Sequence, residues 1–253
     1  MQSIFLTAEW RKLIMANYPV DPEVLRPFLP AHTELDQWKG DTYVSLVGFM
    51  FRKVRIRGVA VPFHRNFPEV NLRFYVRYKE GNEWKRGVVF ISEIVPRPAI
   101  TWVANTLFRE HYINLPMRHF EKTEEGRLAI GYQWKYKGRW NNLAVSTSVH
   151  SQPLLSGSHE EFITEHFWGY AAMDKNRTGE YQVEHPRWDI RKVRNYEIDC
   201  DFESLYGGPF SGLGAQMPES VFLAEGSPVK IYSKKILETT GLDAPNPHPT
   251  KKQ

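Results

Sequence analysis

The segment FHRNFPEVNLRF, residues 63–74, sets His64, Arg65, Asn66, Glu69, Asn71 and Arg73 among apolar neighbours. If 69–74 is a strand, Glu69, Asn71 and Arg73 share one face, because strand side chains alternate. A carboxylate, an amide and a guanidinium in line suit two settings. One is a solvated face with a salt bridge at its ends. The other is the polar lining of a barrel or cleft, where the carboxylate exchanges a proton and the guanidinium holds an anion. His64, just before them, is a second group able to carry a proton.

A second constellation is IVPRPAITW followed by NTLFREHYINLPMRH. Pro98 suits the first turn of a helix, which puts Arg97 near its N-cap, where a cation is opposed by the helix dipole. A bound anion, or a carboxylate such as Glu93, would relieve this. Glu110 lies at the far end of the same helix, again on the unfavourable side for its charge. Each misplacement costs only about 0.3–1 kcal/mol. Both therefore fit ordinary surface variation as well as helix ends that serve a ligand. Tyr112 and His119 lie close enough in sequence to act with them.

Other motifs carry less. HEEFITEH, residues 159–166, is not the HExxH zinc pattern, and histidines seven apart lie two helical turns apart, too far for one metal. The alternation Arg52, Lys53, Arg55, Arg57 and the aromatics at 132–140 could contact nucleic acid. However, the aromatics recur at period two, as a core face does, and nucleic acid is not expected as a partner. No GxGxxG, P-loop or GxSxG pattern occurs, and GGPFSGLG, residues 207–214, reads as a flexible loop or lid.

The elements that must position these residues are mainly strands. Stretches 12–18, 42–54, 69–78, 87–95 and 127–136 are rich in β-branched and aromatic residues. In 42–50 both alternating faces are apolar, which predicts a strand covered on both sides. A turn at Lys137-Gly138 joins 127–136 to a strand through 143–150. Helices are few: Asp21-Pro22 opens one through Phe28, 98–110 shows helical spacing, Ser158 and Glu161 suit a capping box before 162–170, and 203–206 adds a turn. The expected class is mainly β, a β-rich α+β fold with a few short helices.

The chain has 253 residues, 42% hydrophobic and 25% charged, with a net charge of +4. That is a globular composition with a mild basic bias that permits anionic partners. A single cysteine, Cys200, excludes an internal disulfide and any cysteine-based metal centre, which fits a reducing compartment. Residues 1–13 contain Glu9, Arg11 and Lys12 and resemble neither a signal peptide nor an anchor. No stretch approaches the roughly 20 apolar residues of a membrane helix. The expectation is one cytoplasmic domain over 1–240 and a loose tail over 241–253, with no membrane partner, metal or cofactor.

Four long runs carry a resemblance: EWRKLIMANYPVDPEVLRPFLPAHTELD, VPFHRNFPEVNLRFYV, VVFISEIVPRPAITWVANTLFREHYINLPMRH and SVFLAEGSPVKIY. They resemble the YqjF-like family, mostly bacterial proteins of unknown function, as far as about Ser233. That family is similar, more distantly, to acetoacetate decarboxylase. The resemblance implies an antiparallel barrel or cone around a buried pocket, often in homo-oligomers. In the decarboxylase, a lysine that follows a proline forms a Schiff base, and a neighbouring lysine lowers its pKa. The stretch matched to it is Leu115-Pro116-Met117-Arg118, so Met117 stands for the nucleophile and Arg118 keeps the neighbouring charge. A thioether forms no imine. Arg11 falls at a pocket arginine, Glu69 at one pocket glutamate and Ser45 at another.

Two functions follow. In the first, an enzyme of lyase or hydrolase type takes a small anionic carbonyl or carboxylate compound without an imine. Arg11, Arg97 or Arg118 holds the anion, Glu69 is the acid/base, and His64, Glu110, Tyr112 and His119 assist. In the second, a non-catalytic binding protein keeps the pocket, and Met117 packs against the ligand.

Overall fold

The β-branched and aromatic runs do form strands. A computed structural model describes residues 2–60 and 62–238. The strands β1 (Ile4–Val20), β2 (Glu34–Leu35), β3 (Thr42–Ile56), β4 (Phe67–Glu80) and β5 (Glu83–Val95) come first, with α1 (Pro22–Leu25) after β1. Next are α2 (Pro98–Leu107), β6 (Tyr112–Asn114), β7 (Met117–Glu124), β8 (Arg127–Tyr136) and β9 (Arg139–Ser148). The rest are α3 (His159–Thr164), β10 (Trp168–Ala172), β11 (Arg177–Glu184), β12 (Ile190–Asp199), α4 (Phe202–Tyr206), β13 (Ser220–Tyr232) and β14 (Lys235–Glu238). The tail expected over 241–253 lies outside the described residues.

Strands β11, β10, β5, β4, β3, β1 and β13 are hydrogen-bonded side by side in that order, and β11 also pairs with β13, so the path closes into a ring. From β13, the strands β12, β9, β8 and β7 continue as an arm. Pairing is mostly antiparallel, as expected. β5 is the exception, with parallel partners in β10 and β6. The β5–α2–β6 link is a helical crossover, the connection that a parallel pair requires.

The doubly apolar strand sits where its pattern demands. Val44, Leu46 and Met50 of β3 join an outer core with Tyr132, Trp134 and Leu143 of the arm. Tyr43, Val47, Phe49 and Phe51 face inward and join a second core. Gly48 lets the arm lie close, since a Cβ there would be 2.7 Å from the Tyr132 ring. The Tyr132 hydroxyl donates to the Lys12 carbonyl at 2.8 Å, tying the arm to β1. Its hairpin turn has positive φ at both Lys137 (45°) and Gly138 (84°), the type I′ geometry that matches strand twist. Tyr132 and Trp134 are buried in this core, whereas Tyr136 and Trp140 of the same hairpin are only partly buried.

Two expectations change. Ser158 caps α3, its Oγ accepting from the Glu161 N–H at 3.1 Å, but the helix ends at Thr164 and does not reach 170. Residues 168–172 become β10, where ladder bonds to β5 and β11 and the burial of Tyr170 override helical propensity. Residues 207–214 are not a lid. Gly208–Gly214 is a 3₁₀ helix that buries Phe210 and Leu213 in the outer core. Among the described residues, no helix is long and apolar enough to cross a membrane.

Candidate functional site

Alternation along β4 sends Val70, Leu72 and Phe74 to the outer core and turns Glu69, Asn71 and Arg73 into the ring. There they line a cavity to which all seven ring strands contribute, with about 680 Å³ of empty space, part of it continuous with solvent. An adjoining lobe is walled by apolar side chains, among them Val54, Ile100, Val103 and Phe108. Glu93, Tyr112 and Tyr181 line both lobes, and Glu110 lines the apolar one.

Each of these groups is placed by a local device. On β5 the register slips between Leu72↔Ser92 and Arg73↔Phe90, leaving Ile91 as an extra residue. This bulge turns both Phe90 and Glu93 inward although they are three apart. Asn105 of α2 clamps Tyr112 from both sides, donating to its carbonyl at 2.9 Å and accepting from its N–H at 2.8 Å. Tyr112 thus pairs with Glu93 across β5–β6, and its hydroxyl donates to Glu69 at 3.3 Å. Asn71 donates to the other Glu69 oxygen at 3.0 Å. The Tyr181 hydroxyl donates to Glu110 at 3.0 Å.

Tyr181 can lie there because Gly169 is its cross-strand partner. A Cβ on Gly169 would be 2.1 Å from Tyr181 Cζ. Gly169→Ala is therefore expected to push the ring off Glu110 and to destabilise the fold by roughly 1–3 kcal/mol, the cost of overpacking. Differential scanning calorimetry checks this, and a Tyr181→Ala background should remove most of the penalty.

Three carboxyls in this interior are buried and repel one another. Burial pushes Glu69 up to about 7, against bonds from Asn71 and Tyr112 and the charge of Arg73. Burial pushes Glu110 up to about 8, opposed by Tyr181 and Lys234. Glu93 is raised well above the usual carboxyl range by burial and by repulsion from Glu110 and Glu69. Tyr112 and Tyr181, raised well above 10 by burial, stay protonated and donate. At neutral pH the site therefore holds protonated carboxyls beside one, Glu69, poised to exchange a proton. Among the described residues, no group of three His, Cys, Asp or Glu side chains is arranged to hold a metal ion.

The sequence candidates divide. Glu69, Asn71, Arg73, Tyr112 and Glu110 come together. Arg11 does not join them. It neighbours Trp10, which lines the cavity, so it points to the opposite face and pairs with Glu9 at 3.0 Å. His64 is held in the loop after β3, its Nδ1 2.8 Å from the Pro62 carbonyl. Arg97 precedes α2, and its carbonyl accepts the Thr101 N–H at 3.1 Å while its side chain lines neither lobe. Met117, Arg118 and His119 begin β7, at the far edge of the arm. Met117 packs on the outer core, Arg118 stacks 3.7 Å from the Trp140 ring, and His119 is exposed. Met117 therefore says nothing about a nucleophile inside the ring.

The sequence pattern did not place Glu93, Tyr181 or His166 in this site. A lone carboxylate in the apolar run VVFISEIV was a usable signal for Glu93. HEEFITEH sends its two histidines apart: His159 packs on Tyr43, and His166 lines the cavity. Five lining residues, Trp10, Asn71, Arg73, Glu93 and His166, each carry a buried polar atom without a hydrogen-bond partner. Such atoms are uncommon in proteins.

Residues 7–228 match the DUF2071 family, described as an uncharacterized conserved protein, and the chain belongs to that family. It is 28% identical over 233 residues to the uncharacterized protein YqjF of Bacillus subtilis, covering 89% of this chain and 86% of that one. The acetoacetate decarboxylase of Legionella pneumophila superimposes with a TM-score of 0.64 at 15% identity, over 93% of this chain and 88% of the other. The enduracididine biosynthesis enzyme MppR, complexed with pyruvate, superimposes with a TM-score of 0.62 at 12% identity, over 93% and 91%. At these identities the likeness establishes a shared acetoacetate decarboxylase-like fold.

Proposed function

We propose that the ring cavity is an active site that moves a proton on a small carboxylate bearing a carbonyl group, by enolisation and without an imine. The observation that carries this reading is Glu69, buried with a pKa near 7 and sharing one cavity with Arg73, Tyr112 and Glu93. Arg73 holds the carboxylate of the ligand, since it is the only arginine among the described residues that lines either lobe. Ionised Glu69 takes a proton from the carbon beside the carbonyl. The electron pair moves to the carbonyl oxygen, which receives a hydrogen bond from protonated Glu93 or from Tyr112. Among the described residues, no lysine lines either lobe, which disfavours a Schiff base. Two structural relatives bear compatible names: one is called for acetoacetate, and the other is complexed with pyruvate.

The competing reading is a binding protein that never converts its guest, and the apolar lobe beside the acids favours it. Thermal shift with a panel of small oxo and hydroxy acids comes first, followed by proton NMR of pyruvate in deuterium oxide. The expected result is stabilisation by the panel and exchange of the pyruvate methyl protons faster than in buffer. A ligand that binds and never exchanges supports the binding protein. A lysine adduct trapped by borohydride would overturn the imine-free chemistry.

A further inference from the structure

We infer that His166 gives this cavity a hydrogen-bond acceptor for a hydroxyl group next to the ligand's carboxylate, so that the ligand class is a small 2-hydroxy acid or the enol of a 2-oxo acid. The inference rests on the reading that Arg73 holds a carboxylate.

His166 lies between α3 and β10. Its Nε2 is 3.0 Å from Oδ2 of Asp36, and the same oxygen accepts from Arg86 Nε at 2.6 Å. Hydrogen bonds from His166 and Arg86 and the charge of Arg86 outweigh burial and hold the Asp36 carboxyl below its usual range, so it is ionised and only accepts. Nε2 must therefore carry the ring proton. Burial lowers His166 to about 4, which leaves Nδ1 a bare lone pair at neutral pH. No described residue donates to it. Its ring neighbours are Tyr75 at 4.7 Å, whose hydroxyl is bonded to Ser45 at 2.6 Å, and Phe162 at 5.2 Å.

The other unpartnered atoms define the guest. Asn71 uses its amide nitrogen on Glu69, and its Oδ1 is left as a second unpaired acceptor. Trp10 Nε1 and Arg73 Nε are unpaired donors. A carboxylate can satisfy the two donors but neither acceptor, since it only accepts. A guest with one anionic end and one hydroxyl answers both kinds of group. Both acceptors lie beside the anion's seat: Asn71 is one inward neighbour of Arg73 on β4, and the other, Tyr75, has its ring against His166. A seat beside the anion suits a hydroxyl on the carbon adjacent to the carboxylate.

The test is isothermal titration of the full chain with lactate and with propionate, which differ by that hydroxyl. Lactate is expected to bind roughly ten-fold tighter, the size of one net hydrogen bond. In His166→Gln, whose amide can keep the Asp36 contact, the ratio should fall toward one. Should that variant fail to fold, the nitrogen-15 resonance of His166 Nδ1 in the wild type decides: it should move with lactate and not with propionate. Equal affinities, or an unmoved resonance in saturated protein, overturn the hydroxyl inference while leaving the carboxylate reading intact. If neither acid binds, both fall.

Discussion

Glu69→Gln should slow exchange of the pyruvate methyl protons by at least about 100-fold, the lower range of a positioned general base, while the protein stays folded. The amide matches the carboxylate in shape and can still accept from Asn71 or Tyr112, so the cavity wall survives. What it cannot do is take a proton. The substitution also removes one of three mutually repelling acids, so the melting temperature should hold or rise. Activity that survives the change would move the proton transfer to another group, whereas loss of activity together with a large fall in melting temperature would mean that Glu69 supports the ring. Proton NMR in deuterium oxide and calorimetry on one sample separate these outcomes.

The second large effect is on stability against pH. Glu69, Glu93 and Glu110 have folded pKa values above the ordinary 4.5. In the native state each holds a proton that the unfolded chain releases. Their contribution is complete at low pH and is lost as pH rises through the folded values, about 7 for Glu69 and about 8 for Glu110. His159, His166 and His185 act in the opposite direction. Burial keeps them neutral in the fold, so the unfolded chain gains protons first as pH falls below the ordinary 6.5. The two sets oppose each other between the ordinary carboxyl and imidazole values, and above these only the carboxyls still titrate. The melting temperature should peak near pH 6 and decline through about pH 8, as the unfolding free energy falls by on the order of 1.4 kcal/mol per pH unit for each carboxyl involved. Glu69→Gln combined with Glu110→Gln should flatten that decline. A flat wild-type profile over this range would show that the carboxyls are ionised inside the fold.

Much of the positioning was legible from local pattern. Period-two spacing was enough to put Glu69, Asn71 and Arg73 on one face, and the doubly apolar run 42–50 already required layers on both sides of its strand. The type I′ turn and the Ser158 cap needed only their own neighbours. The resemblance to the YqjF-like family is carried by contiguous runs, and the family match over 7–228 agrees with it. Met117 shows where such reasoning fails. A proline-flanked tripeptide is too short to fix its own place in a fold, and the hairpin that carries it packs outside the ring.

The sequence alone thus determined the strand-rich class, the family and the inward face of β4, because each depends on alternation or on contiguous residues. Only the tertiary structure decided what that face meets. A one-residue bulge turned Glu93 inward against the simple alternation. A glycine opposite Tyr181 let a ring cross to Glu110. Closure of β11 onto β13 brought those groups, and His166 beyond them, around one cavity. These are long-range contacts, 71 positions apart for Tyr181 with Glu110 and 130 for His166 with Asp36. Their mutual repulsion and desolvation, which set the acidities of the site, arise only after the ring has closed around them.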